Sequence, residues 1–347
     1  METASPALAL RQLIASMRGA IERCRLDLSG MIVLTEAASG AYCVTPILAA
    51  LAGASRVFAL ARHSRFGTID EATEGIIALA RRANVADRIE IITEKRREIV
   101  AQADIITNSG LVRPIDREMV GWMKPTAVVP LMYESWELRE ADLDLAACRA
   151  QRIAVAGTNE RHPALEIFSF LGSIVVGLFV AAGIDLKGRR LVVWCNNPFR
   201  DFIADGLVKA GARVEIVEDL ALSRDGTSQD AILVAMTPRS HPVLGNREAE
   251  IIAQRYPGAL VAQFWGDIDR NALTRCGVPF WPLEPPPPGH QGIMLSAAGP
   301  EPVVRLQAGG LKVGEVMARS RKTASDVEAG CERAIVAAVA SGFGQRV

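Results

Sequence analysis

The spacing of apolar positions changes several times along the chain, and each change marks an element. Residues 8–24 carry apolar side chains three and four apart, the spacing of an amphipathic helix. A continuous apolar run at 31–34 leads into the Ser39-Gly40 turn, an apolar helix at 45–51 follows, and a second run stands at 57–60. Strand, helix and strand in that order make a βαβ unit, the start of a parallel sheet covered by helices. The alternation goes on through a helix at 69–82 and strands at 89–92, 105–107, 127–130 and 153–156. A polar knot, Thr158-Asn159-Glu160-Arg161-His162-Pro163, then gives way to an apolar helix at 165–182. Beyond it the alternation restarts, with strands at 191–194, 213–217, 232–235 and 259–262, helices at 200–210 and 248–255, and a closing helix at 323–343.

Two cycles of alternation predict an α/β chain of two Rossmann-like domains with parallel sheets, joined by an interdomain helix. The expected limits are 1–162 for the first domain, 163–188 for the helix and linker, 189–320 for the second domain, and 321–347 for the last helix. A chain of 347 residues is long enough for two cores. The apolar stretch 167–184 is long enough on count alone to span a membrane, but its three glycines, the adjacent Glu166 and the α/β pattern on both sides point to a buried helix.

Composition narrows the partners. Lys plus Arg and Asp plus Glu are equal at 39 each, so no net field draws the chain to nucleic acid or to an anionic membrane. The six cysteines stand singly, with no metal-ligand spacing, as expected of small buried residues in a reduced cytoplasmic protein. No metal site is expected, and residues 1–10 lack a basic segment leading into a sustained apolar run.

Candidate chemistry collects where strands end, since open parallel sheets hold ligands at the carboxyl ends of their strands. The loop Thr107-Asn108-Ser109-Gly110 brings Asn108 and Arg113 to such an end. The forked Arg113 guanidinium suits a carboxylate or phosphate, or else pairs with Asp116. Glu134 and Glu137 follow another strand and share a helical face, as an acid/base pair or as a solvated helix start. In the polar knot, Asn159, Glu160 and Arg161 are candidate substrate contacts, and His162 is the first choice for acid/base work because imidazole titrates near neutrality. His290, after four prolines, is the second.

In the second half, Glu218 and Asp219 end the second strand where a dinucleotide-binding βαβ puts the acid that meets a ribose hydroxyl. The turn before it reads Cys195-Asn196-Asn197-Pro198-Phe199 and not GxGxxG. Asn196 and Asn197 are the candidate phosphate donors, and Phe199 stands where it would crowd a pyrophosphate. The turn Glu36-Ala37-Ala38-Ser39-Gly40 of the first half is a further place for an anion or for adenosylmethionine.

The order of landmarks from about 142 to 310 resembles the D-isomer-specific 2-hydroxyacid dehydrogenases and, more loosely, the adenosylhomocysteine hydrolase group. Asp142-Leu143-Asp144-Leu145-Ala146-Ala147 leads into Ile153-Ala154-Val155, the long helix follows, and Leu186-Lys187-Gly188 links to the second βαβ. Thr237 and Pro238 match the family's Thr-Pro loop, Asp269-Arg270-Asn271-Ala272-Leu273 its later helix, and Glu284-Pro285 its Glu-Pro. The resemblance implies a bound NAD or NADP touching Asn196, Asn197, Phe199, Glu218, Asp219, Thr237 and Pro238. It implies a small, acidic substrate in the cleft between domains, and a homodimer. The departures fall on the chemistry: Trp265 precedes Gly266 where the family has its catalytic Arg, and Leu295-Ser296-Ala297-Ala298-Gly299 has no His. The expected activity is therefore an oxidoreductase with a non-standard site, in which Trp265 lines the substrate pocket. The alternative is a binding or complex-forming protein that has lost the redox reaction.

Overall fold

The computed structural model describes residues 6–64, 67–222, 229–323 and 327–347. The chain forms two compact units, one made of Met1–Ile167 with Gly299–Val347 and the other of Phe168–Ala298. The elements run α1 (Pro6–Cys24), β1 (Ile32–Glu36), α2 (Val44–Leu51), β2 (Arg56–Leu60), α3 (Ile69–Ala83), β3 (Ile89–Ile92), α4 (Arg97–Val100), β4 (Ile105–Ile106), α5 (Arg117–Trp122), β5 (Val128–Pro130), α6 (Leu145–Ala150) and β6 (Ala154–Thr158). The second unit holds α7 (Leu171–Ala181), β7 (Arg190–Trp194), α8 (Arg200–Lys209), β8 (Arg213–Val217), β9 (Ala231–Ala235), α9 (Asn246–Arg255), β10 (Leu260–Trp265), α10 (Arg270–Arg275) and β11 (Phe280–Trp281). The chain then returns to the first unit with α11 (Pro300–Lys322), α12 (Val327–Ala340) and β12 (Gly344–Gln345). The start of the expected closing helix, at 324–326, lies outside the described residues.

In the first unit the described strands lie in the order β12-β6-β5-β4-β1-β2-β3. The neighbours are parallel except β12, which pairs antiparallel with β6. The order reverses between β1 and β4, where successive crossovers leave in opposite directions and open a crevice at the carboxyl ends. Helices cover both faces, so the strands are apolar throughout instead of alternating; β1 is buried at four of its five positions and β6 at all five. Local signals agree with the fold. At the start of α3, Thr68 Oγ1 accepts the Glu71 N–H (3.2 Å) and Glu71 returns a carboxylate to the Thr68 N–H (2.8 Å). Asn84 ends the helix in the left-handed region at φ 59°.

α11 corrects the expected domain limits, which put 299–320 in the second domain. It belongs to the first unit because three glycines let it lie directly on that sheet. A β-carbon on Gly309 would stand 2.4 Å from Leu165 Cδ1, one on Gly310 2.5 Å from Met132 Sδ, and one on Gly314 2.8 Å from Ile105 Cγ2.

The second unit has the order β11-β10-β9-β7-β8, all parallel, and reverses between β7 and β9. The expected interdomain helix is largely α7, eleven residues long and part of this unit. It packs on α8 through Gly172 and Gly206, where a β-carbon on Gly206 would stand 2.1 Å from Gly172 Cα. Among the described residues no helix is long and apolar enough to cross a membrane. All six cysteines are unpaired.

Candidate functional site

The carboxyl ends of β1, β4, β5 and β6 bring together most of the expected first-half residues, and most are committed to one another. Asn108, fully buried, donates from Nδ2 to Tyr133 Oη (2.9 Å). Its Oδ1 accepts Arg113 Nε (2.6 Å) and its carbonyl accepts Arg113 Nη2 (2.9 Å). The Tyr133 hydroxyl donates to Asp142 (2.8 Å), which also takes Arg139 (2.8 Å) and lies 3.6 Å from Arg113 Nη1. The Arg113 guanidinium sits 5.0 Å from the centre of the Tyr133 ring. Burial pushes the Asp142 carboxyl up, but the two arginines and the phenol outweigh it and hold it below the usual range. Arg113 therefore serves as an internal tie, and among the described residues it makes no bond to Asp116; Asp116 caps α5 through the Met119 N–H (2.9 Å).

The residues that carry unspent chemistry are glutamates. Glu134 is fully buried: Trp136 Nε1 and the Glu160 N–H (3.2 Å) donate to it, and Arg161 Nε lies 3.7 Å away. Glu137 begins no solvated helix; it lies in a single 3₁₀ turn, 135–137, at the edge of this cluster. Burial first, and then the charge of Glu134, push its carboxyl up to about 8. Glu160, 7% exposed, is held well above the ordinary value by burial and by Glu137 and Glu134. Glu36, at the end of β1, accepts the Leu111 N–H (3.1 Å) and is also raised by burial. The phenol of Tyr42 is pushed up by burial, Glu36 and Glu160. Carboxyl groups that keep their protons near neutral pH are proton donors.

The rest of the polar knot anchors the end of the chain. Asn159 donates from its backbone to Phe343 O (2.8 Å) and from Nδ2 to Gly342 O (2.9 Å). The His162 ring stacks on Phe343 at 3.8 Å, its Nδ1 accepts the Ala164 N–H (3.1 Å), and burial lowers its pKa. The nitrogen that would act as base is thus occupied, and the glutamates beside the knot offer the better proton donors. Gln345 Oε1 accepts the Ser135 N–H (2.9 Å) across the β12–β6 edge.

In the second unit the turn after β7 is closed by its own side chains. Asn196 Oδ1 accepts the Thr237 N–H (3.0 Å), Asn197 Nδ2 donates to Ala235 O (2.7 Å), and Asn197 Oδ1 accepts the Phe199 N–H (3.1 Å). Two asparagines thereby bridge the switch point between β7 and β9. Phe199 does not stand at a phosphate position. It is 2% exposed, with Phe168 and Trp265 at 5.0 and 5.5 Å between ring centres. Trp265 is buried and donates to Gly289 O (3.0 Å), holding the proline-rich turn, on which His290 is exposed.

Beside the switch point lies a cavity of about 210 Å³, lined by residues that include Trp194, Glu218, Asp219, Met236, Arg239 and Arg247. Sequence reasoning found two of its three acids, Glu218 and Asp219, and missed Glu248 and both arginines, which follow no motif. Glu218 is paired with Arg200 (3.2 Å), and Asp219 accepts the Ala221 N–H (2.9 Å). Among the described residues no group of three His, Cys, Asp or Glu side chains is placed to hold a metal.

The two strand orders define the class: a pair of doubly wound, mainly parallel α/β units of the Rossmann-like kind. Searches against family models and against curated proteins give no match. Among solved structures, the chain is similar to a dipicolinate synthase chain from Bacillus halodurans, at 12% identity over 81% of this chain and 96% of that one, with a TM-score of 0.49. It is similar to the NAD+-bound 3-phosphoglycerate dehydrogenase of Entamoeba histolytica at 12% identity, covering 85% and 96%, TM-score 0.46. It is also similar to the NAD-dependent formate dehydrogenase of Staphylococcus aureus, solved with NAD, at 12%, covering 81% and 93%, TM-score 0.40. The likeness is one of fold.

Proposed function

We propose that this chain is an NAD(P)-linked oxidoreductase, with the cofactor's adenosine half in the second unit's cavity and the reaction's proton supplied by the glutamates of the first. The observation that carries this is the cavity itself. It sits at the carboxyl ends of β7, β8 and β9, beside the reversal of strand order, with two acids at the end of the second strand. Its chemistry fits an adenosine ribose: carboxylates for hydroxyls, and Trp194 and Met236 for an apolar face. At the phosphate turn, the NH2 of the exposed Asn196 and the Arg200 guanidinium are the donors.

The bound nicotinamide would supply or accept hydride. A carbonyl or imine reduced in this way needs a proton on its heteroatom; Glu137, pushed up to about 8, is a source for it, and burial and the neighbouring glutamates push Glu160 in the same direction. We read the substrate as a small oxo or imino acid, with the half-exposed Arg161 as the guanidinium for its carboxylate. Titration calorimetry with NAD+ and NADP+ tests the reading: saturable heat with at least one is expected, and none with either at millimolar concentration overturns it. With a cofactor bound, Glu160→Gln should cut turnover at least tenfold and leave cofactor affinity unchanged.

The asparagine-bridged turn favours a second reading, a binding protein that keeps both folds without the redox step. Cofactor binding without consumption of reduced cofactor against a panel of 2-oxo acids would select it.

A further inference from the structure

Building on that reading, we infer that the cavity of the second unit is made for a 2′-phosphorylated adenosine ribose, so that the chain takes NADP(H) in preference to NAD(H). The argument is the state of the charged groups that line it. Selection of NAD rests on a carboxylate free to accept from the 2′-hydroxyl, whereas a nearby arginine accommodates the 2′-phosphate of NADP. Glu218 is not free: its carboxylate holds Arg200 at 3.2 Å, and its side chain is 67% exposed, so any bond to a ribose competes with an ion pair and with water. Glu248 is likewise engaged, accepting the Gly245 N–H (2.9 Å) at the start of α9. Asp219 is engaged in the same way, accepting the Ala221 N–H (2.9 Å), so each of the three carboxylates lining the cavity already holds a donor.

The two cations are in the opposite state. Arg239, on the loop after β9, and Arg247, in the first turn of α9, both line the cavity, and among the described residues neither makes a hydrogen bond or ion pair. Two uncommitted guanidiniums on one cavity suit a dianionic phosphate, which accepts paired N–H bonds stronger than those a hydroxyl makes with a carboxylate.

Calorimetry with 2′,5′-ADP and 5′-AMP isolates this end of the cofactor, and NADP+ and NAD+ extend it. The expected result is at least tenfold tighter binding of NADP+ than NAD+, and of 2′,5′-ADP than 5′-AMP. Arg239→Ala and Arg247→Ala should each erase most of that difference and leave NAD+ affinity alone. Arg200→Ala removes a donor from the phosphate turn and should weaken both cofactors, but by releasing Glu218 it should move the preference towards NAD+, an effect that loss of folding would not produce. If NAD+ binds as tightly as NADP+ and the arginine variants change neither, the inference is overturned while the oxidoreductase reading stands. If no nucleotide binds, both fall.

Discussion

Gly206→Ala tests whether the second unit depends on backbone contact between α7 and α8. The new β-carbon would lie 2.1 Å from Gly172 Cα and 2.8 Å from its carbonyl carbon. Carbon atoms rest about 3.5–4.0 Å apart, so the helices must part by roughly 1.5 Å. Alanine gains about 1 kcal/mol of helix preference over glycine. Against that, overpacking a buried contact costs about 1–3 kcal/mol and more where the neighbour is backbone that cannot rotate away. Separation also loosens the aromatic group beneath, where Phe168 stands 5.0 and 5.3 Å from Phe199 and Phe202. The clash wins, and a net loss of about 2 kcal/mol is expected, which in a domain of this size lowers the melting temperature by roughly 6–10 °C. Circular dichroism melts of the full chain measure it. Gly75→Ala is the control: it lies inside α3 with nothing within 4 Å of its β-carbon and should be neutral or slightly stabilising. A Gly206→Ala chain that melts within 2 °C of the parent would refute the reasoning.

The raised carboxyl groups fix a pH dependence. Glu137, at about 8 when folded, keeps its proton while the unfolded chain has lost it, so this stabilising contribution is full below about 4.5 and is lost as pH rises through about 8. Glu137→Gln should flatten this limb in urea titrations at pH 5, 7 and 9. Asp104 has the opposite sign. Burial raises it, but the Ile32 N–H (2.8 Å), Lys124 (3.0 Å) and Lys322 (3.3 Å) together hold it low, so its contribution stands above the ordinary carboxylate value and fades as pH falls below it. Asp104→Asn should therefore cost about 1–3 kcal/mol at pH 7 and much less at pH 3, by the same titrations. Phe343→Ala, removing a ring 8% exposed and stacked on His162, should cost about 3 kcal/mol in the same titrations.

Most of the frame was legible in the apolar pattern, because strands buried on both faces read as short continuous runs: 89–92 and 213–217 were placed to the residue. α11 was not legible. Gly309, Gly310 and Gly314 argue against a helix by local preference, and only the sheet beneath them explains why a helix needs them. β11 and β12, two residues each, are too short to show a period. At the site, the sequence placed Asn108, Arg113, Glu134, Glu160, Arg161 and His162 at one end of one sheet. It had no means to show that Arg113 would be consumed by Asn108 and Asp142, since that depends on how two loops meet. Nor does residue type reveal that a glutamate's pKa will be raised; burial beside other carboxylates does that.

The first unit is built from both ends of the chain, whereas the second is one uninterrupted segment. During synthesis the second unit can therefore be complete while the first still lacks α11 and β12, reversing the usual order in which the earlier domain folds first. Until residues 300–322 leave the ribosome the glycine-lined helix that covers the sheet is missing, and until residues 344–345 follow β6 is an open sheet edge. The nascent protein thus passes through an interval with its first unit unfinished, and a chain truncated before Gly344 would release that unit with the β6 edge exposed.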